Sequence, residues 1–175
     1  MNKWTQTLAN ENELLVVDAE VDVFLEAAHI AYIEMKKENP KAVLFTNPVN
    51  KKLGIKYKTP VLANIFGNTK KCELVFGGDF NIVADKIDGF LKLKKPKTFK
   101  EKIAKLKDIF GLRHVFPKLV SSGECQEIVY PKEKRLDEIM PILTTWKDDG
   151  GAFVTMGQVY TKSLDGGMKN VGMYR

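Results

Sequence analysis

Apolar residues in this chain fall first in short runs, then at helical spacing, and finally in short stretches set between turns; each pattern predicts a different element. Leu14-Leu-Val-Val-Asp18 reads as a short strand. Asp22 then stands where it can cap a helix running to about Glu38, with Phe24, Ala27, Ala28, Ala31 and Met35 on one face, and Asn39-Pro40 ends that helix. Ala42-Val-Leu-Phe-Thr46 is a compact buried strand stopped by Asn47-Pro48, and Val61 to Phe66 forms another beyond a lysine-rich loop. Together these predict a β-α-β-β beginning.

Helical spacing takes over next. Gly67-Asn-Thr69 opens helical sequence, and Asp79 caps a helix whose residues Phe80, Val83, Ala84, Ile87, Phe90 and Leu91 keep one apolar face. Lys95-Pro96 breaks it, and a further helix is expected from Thr98 to Phe110, ended by Gly111. From Ser121 the character changes to strands and turns: Cys125 to Tyr130 as a strand, Pro131 as an interruption, one helical turn over Leu136 to Ile139, and then Pro141 to Trp146. Phe153 to Thr161 reads as a strand, Ser163-Leu-Asp-Gly-Gly167 is a turn, and residues 170–175 return as the second strand of a hairpin. A half-made hairpin is a poor place for a domain to stop, and its edge is expected to have sheet partners that this stretch does not supply.

Composition narrows the class. A chain of 175 residues with 44% hydrophobic positions can bury a core, which argues against disorder. Neither a bilayer-length apolar run nor a signal-peptide core is present, so a soluble, cytoplasmic protein is expected. Cys72 and Cys125 lie far apart with no metal-type spacing and are read as two buried or half-buried thiols. The net charge of +6 comes largely from lysines between Lys92 and Lys107. Phe99, Ile103, Leu106 and Phe110 among them recur at helical spacing with no aromatic platform interleaved. The lysines are therefore read as the solvated face of a docked helix, with attraction of an acidic ligand as the alternative.

No glycine-rich dinucleotide fingerprint and no phosphate-binding P-loop occurs. His29 and His114 lack partners at metal spacing and are read as structural, and Asp148, Asp149 and Asp165 are turn residues rather than general acids.

The segments of the last third carry more information. Pro141-Ile-Leu-Thr144, Trp146-Lys-Asp-Asp-Gly150, the strand from Phe153 to Thr161 and Asn170-Val-Gly-Met-Tyr-Arg175 occur in an order that resembles the UbiD-type decarboxylases, enzymes that use a prenylated flavin mononucleotide. Val43-Leu-Phe-Thr-Asn-Pro48, Thr59-Pro-Val-Leu-Ala-Asn-Ile-Phe-Gly67 and the Val21-Asp22 to Glu26 opening are similar to that family as well.

The resemblance implies an α+β fold: an N-terminal α/β lobe over residues 1–117, followed over 118–175 by the first strands of a split β-barrel of the flavin-binding type, truncated. It implies a carboxy-lyase that decarboxylates an aromatic or unsaturated acid without oxidation, such as a hydroxybenzoate or naphthoate precursor of ubiquinone or menaquinone. Asn170 corresponds to a ligand of the divalent metal, Mn²⁺ or Mg²⁺, that bridges to the flavin phosphate, with K⁺ as a further ion. Met173, Tyr174 and Arg175 correspond to the cofactor-lining stretch, and Arg175 would also orient the substrate carboxylate as the catalytic residue. From the residues alone, Asn170 reads first as closing the preceding turn, and the resemblance reverses that; the alternative for Arg175 is a surface arginine at a strand end.

Implied partners are a small aromatic carboxylic acid and further copies of the full-length protein, with no nucleic acid, and a membrane surface where the substrate is polyprenylated. The family's metal-binding histidine and glutamate and its acidic proton donor lie beyond the arginine, so this chain alone is expected to be inactive. Two rival readings are a binding module built on the basic helix and a plain split-barrel FMN protein. Along an ideal strand Asn170, Gly172 and Tyr174 share one face and Arg175 the other, so a single site for Asn170 and Arg175 calls for a bulge or twist at Gly172, or approach from two sides.

Overall fold

The computed structural model describes residues 3–92 and 118–174. The helix expected from Thr98 to Phe110, His114 and Arg175 lie outside them. The chain divides into two compact units, one of residues 1–78 and 132–175 and the other of residues 79–131.

The first unit opens with a helix that the apolar pattern does not predict, α1 (Lys3–Asn10), which fully buries Leu8. Strand β1 (Leu14–Asp22), helix α2 (Glu26–Met35) and strand β2 (Ala42–Asn50) form a β-α-β unit whose strands pair in parallel, from Leu14 opposite Ala42 to Asp22 opposite Val49, with one register shift between Val17 and Glu20. A helix is the usual way to return a chain for parallel pairing. Two short strands, β3 (Ile55–Lys56) and β4 (Val61–Ala63), pair antiparallel with β2, which makes β2 the centre of the sheet. Its run Ala42 to Phe45 is buried, and Val21, Ala27, Val43 and Phe45 form the core, with Val17, Ile30, Val61, Ala63 and Leu143 packed on it. Burying a side chain the size of Phe45 contributes about 2–3 kcal/mol.

The end of β2, the start of α2 and the end of β4 differ from expectation, each because of specific hydrogen bonds. β2 continues through Asn47-Pro48 to Asn50. Proline lacks a donor but keeps its acceptor, and the Pro48 carbonyl takes a hydrogen bond from Tyr57 N at 3.0 Å while its ring is fully buried. α2 starts at Glu26, because β1 runs through Asp22 and the Asp22 carboxylate accepts from Phe24 N at 3.1 Å, serving a turn instead of a helix. Leu25, at φ 67°, precedes the helix without side-chain capping, and its N–H is held by the Thr144 carbonyl at 3.0 Å. β4 stops at Ala63, since Asn64 turns left-handed at φ 57° and donates its Nδ2 to the Ala31 carbonyl at 2.7 Å.

Helix α3 (Thr69–Phe76) is capped as its sequence suggests: the Asn68 side chain accepts from Lys71 N at 2.8 Å, and Gly77 closes the other end at φ 72°. One turn in, Lys71 is fully buried, with its ammonium on the Pro40 carbonyl and 3.5 Å from Glu13 Oε2. Burial raises the Glu13 pKa, but hydrogen bonding from Asn68 and the charges of Lys71 and Lys70 outweigh it, so the carboxyl sits below its ordinary value.

The second unit contains α4 (Phe80–Leu91), opened by the expected Asp79, whose Oδ1 accepts from Asn81 N at 2.8 Å. The strand expected from Cys125 to Tyr130 does not form; a 3₁₀ turn, Glu124–Gln126, stands at its start, and Ile128 and Val129 are exposed with no ladder to join. Cys125 is exposed, against the expectation of burial, while Cys72 is half-buried.

Back in the first unit, Leu136–Ile139 makes the expected single turn, α5, where the Asp137 carbonyl accepts from the Tyr57 hydroxyl at 2.5 Å. Leu143 bridges Phe153, and Thr144 bridges Phe24. The strand expected from Phe153 begins only at Gln158, because Met156 takes φ 60° in an intervening turn. Strands β5 (Gln158–Lys162) and β6 (Lys169–Met173) complete the expected hairpin around a turn with Gly166 at φ 77°. The fold is mixed α+β, and no closed barrel occurs among the described residues.

Candidate functional site

The hairpin carries the residues that the sequence singles out. Its ladder is regular, running from Gln158 opposite Met173 through Thr161 opposite Asn170 to Lys162 opposite Lys169. The register passes Val159 opposite Gly172 without a shift, so the bulge considered for Gly172 is absent. A regular ladder puts Asn170, Gly172 and Tyr174 on one face. The structure joins two of these: Asn170 Nδ2 donates to the Tyr174 hydroxyl at 2.9 Å. Tyr174 lies so close over Gly172 that a Cβ there would meet its ring at 2.6–2.8 Å. Met173, on the opposite face, is exposed.

Asn170 is an exposed neutral amide, and its oxygen has no hydrogen bond from another described residue. An amide oxygen is a hard donor suited to Mg²⁺ or Mn²⁺ when carboxylate or phosphate oxygens complete the shell. Asn170 thus fits one position of such a shell, and no group of three or more His, Cys, Asp or Glu side chains that could hold a metal stands among the described residues.

The acidic residues near the hairpin serve turns, in keeping with their spacing. Asp165 accepts from the Ser163 hydroxyl and from Gly167 N at 3.1 Å; these bonds hold its carboxyl below the usual range, the wrong direction for a proton donor at neutral pH. Asp149 accepts from Thr145 Oγ1 at 3.0 Å and from Trp146 N at 3.1 Å.

A second feature of the same unit is one that the sequence does not single out as a site, although residues of the Thr59 to Gly67, Pro141 to Thr144 and Trp146 to Gly150 segments line it. A cavity of about 790 Å³ opens between α2, β4 and the segment from Met140 to Met156. Tyr32 and Trp146 meet edge to face at 6.3 Å beside it, His29 stacks on Tyr32 at 6.5 Å, and the Lys36 ammonium sits 5.0 Å from the Tyr32 ring centre. Met35, Phe153 and Met156 add to an apolar wall able to take a hydrophobic body. His29 is therefore a cavity residue rather than a core one. The sequence marks several of the lining segments as motifs, but periodicity cannot bring three stretches scattered along the chain together into one cavity.

Comparison with known proteins agrees with this architecture. The 3-octaprenyl-4-hydroxybenzoate carboxy-lyase N-terminal domain matches residues 5–88, and the Rift-related domain of the same carboxy-lyase matches residues 118–175. An uncharacterized protein of Helicobacter pylori is 44% identical over 178 residues, covering 100% of this chain and 29% of its own length. One of Aquifex aeolicus is 34% identical, covering 100% of this chain and 35% of its own length.

Among solved structures, the vanillic acid decarboxylase of Sedimentibacter hydroxybenzoicus in open form superposes with a TM-score of 0.64 at 24% identity, covering 98% of this chain and 33% of that one. The UbiD-class enzyme HmfF of Pelotomaculum thermopropionicum, in complex with FMN, gives 0.66 at 18%, covering 98% and 32%. At these identities the two structures speak for the fold alone. This chain spans about a third of the length of the proteins it matches. With the N-terminal and Rift-related domains of one carboxy-lyase family following each other along it, the chain belongs to the UbiD family.

Proposed function

We propose that this chain is the N-terminal part of a prenylated-FMN-dependent carboxy-lyase that removes carbon dioxide from an aromatic or unsaturated acid. The observation that carries the reading is the β5–β6 hairpin, with an exposed Asn170 bonded to Tyr174, within the segment matched to the carboxy-lyase Rift-related domain. Residues 1–117 would be the N-terminal lobe and 118–175 the opening of the flavin-binding domain.

Asn170 would bind the divalent metal, Mn²⁺ or Mg²⁺, through its amide oxygen, and Met173 and Tyr174 would line the cofactor. Arg175 would grip the substrate carboxylate with its two-pronged guanidinium, fixing the bond to be broken. When bound, the prenylated flavin supplies an electron sink for the charge left as carbon dioxide departs. An acid residue outside this chain would return the proton, and the chain alone would be inactive. A hydroxybenzoate or naphthoate precursor of a quinone is the proposed substrate class, and a cytoplasmic homo-oligomer the proposed setting.

The test is carbon dioxide release by a full-length protein carrying this chain, loaded with prenylated flavin and Mn²⁺ and offered a panel of such acids. Turnover should occur there, fall at least about a hundredfold in Arg175→Ala through lost substrate orientation, and be absent from the 175-residue chain. Undiminished turnover in Arg175→Ala would remove that residue's role, and no turnover with any acid would remove the reading.

A further inference from the structure

We propose that Tyr174 is a positioning residue for Asn170, and that Gly172 lacks a side chain because the Tyr174 ring occupies that space. The inference rests on the reading of Asn170 as a metal ligand and concerns how its amide is aimed. A carboxamide has two ends of similar size and opposite use: its oxygen can ligate a hard cation, while its NH₂ group turns positive hydrogens toward it. On an exposed strand, rotation about the last side-chain bond exchanges the two. Here the NH₂ end is committed, donating to the Tyr174 hydroxyl at 2.9 Å, which directs the oxygen away from that hydroxyl.

Gly172 makes the contact possible. A Cβ at that position would lie 2.6, 2.8 and 2.9 Å from Tyr174 Cε2, Cζ and Oη, too close for any side-chain carbon without moving the ring. A strand glycine commonly serves a left-handed backbone or a bulge, and Gly172 serves neither. It is not among the glycines with positive φ, and its register opposite Val159 is regular. The contact that the structure does show at this position is the ring that reaches back to Asn170. The three residues act as one device: an empty position, a ring filling it, and an amide fixed by the ring's hydroxyl. Partners that orient a ligand in this way typically change metal affinity by about 10–100-fold when removed.

Two measurements test this. In the metal-free chain, the side-chain NH₂ resonances of Asn170 should be well separated and slowed in exchange, and Tyr174→Phe and Gly172→Ala should each move them toward free-amide values. In a full-length protein carrying this chain, reconstituted with FMN and titrated with Mn²⁺ by electron paramagnetic resonance, both variants should weaken binding about tenfold. The double variant should be little worse than either one, because both break the same contact. Unchanged Mn²⁺ affinity in Tyr174→Phe, alongside a large loss in Asn170→Ala, would overturn the positioning role while leaving the metal reading intact. Unchanged affinity in Asn170→Ala would overturn the metal reading and the proposal's consequence with it. Free-amide resonances for Asn170 in the unsubstituted chain would overturn the proposal directly.

Discussion

The sheet around β2 and the β5–β6 hairpin are both built from strand-forming sequence, yet one is the most buried part of the described chain and the other among the most exposed. β2 has neighbours on both sides, α2 in the crossover and Phe45 at its centre, so its apolar side chains leave water. The hairpin ladder pairs five residues with five, but Val159, Tyr160, Val171 and Met173 stay exposed. A two-stranded ribbon without a packed face is at most marginally stable by itself. The lobe is thus stabilised by burial, whereas the hairpin holds its shape through its turn and ladder. The residues singled out for chemistry stand on the part whose order owes least to packing.

That contrast can be broken by substitution. Phe45→Ala should cost about 3–5 kcal/mol in urea unfolding, the size expected for opening a cavity at a fully buried aromatic; a loss under about 1 kcal/mol would mean that the lobe is held by something other than its core.

Glu13→Gln tests the electrostatic part of the same lobe. It removes the carboxylate facing the buried Lys71 ammonium and should cost roughly 3 kcal/mol, since an uncompensated buried charge remains. The Glu13 carboxyl is depressed in the folded state, as is that of Glu34, where burial is outweighed by Lys37 and by the Lys41 N–H. A depressed carboxyl contributes stability that is complete above its unfolded pKa, about 4.3, and is lost as pH falls through the lower folded value. Stability should therefore drop on acidification below about pH 4.3, and the Glu13→Gln protein should show a shallower drop, followed by urea titrations at stepped pH.

The smallest effect belongs to the hairpin. Tyr160→Ala, at a residue 74% exposed, should change global stability by less than about 0.5 kcal/mol. A core-sized loss there, in the same urea titration, would erase the distinction between the two regions.

Much of the fold is written in local signals. The uninterrupted Ala42 to Phe45 run, the Asn68 and Asp79 caps and the Ser163 to Gly167 turn each act within a few residues, so they survive reading one window at a time. The misses share a different cause. Pro48 stays in β2 because its carbonyl accepts from Tyr57 N, Leu25 is set by Thr144, and Lys71 is buried because Glu13 and Pro40 meet it, all partners beyond the reach of a local window. At the candidate site, the shared face of Asn170 and Tyr174 follows from strand geometry, but the bond between them and its dependence on an empty position 172 appear only in three dimensions.

The pair of hydrogen bonds between Thr144 and the strand-to-helix junction, Leu25 N to Thr144 O at 3.0 Å and Thr144 N to Val23 O at 3.1 Å, has a consequence for synthesis in time. During translation the junction leaves the ribosome long before its partner does. At roughly 5–20 residues per second, the 120 or so residues between them take about 6–24 s to be made. Throughout that interval Leu25 lacks the clasp that holds its left-handed turn, and α2 is free to begin elsewhere, for instance from Asp22. Final seating of the helix is thereby tied to arrival of the segment that also forms the far wall of the aromatic cavity.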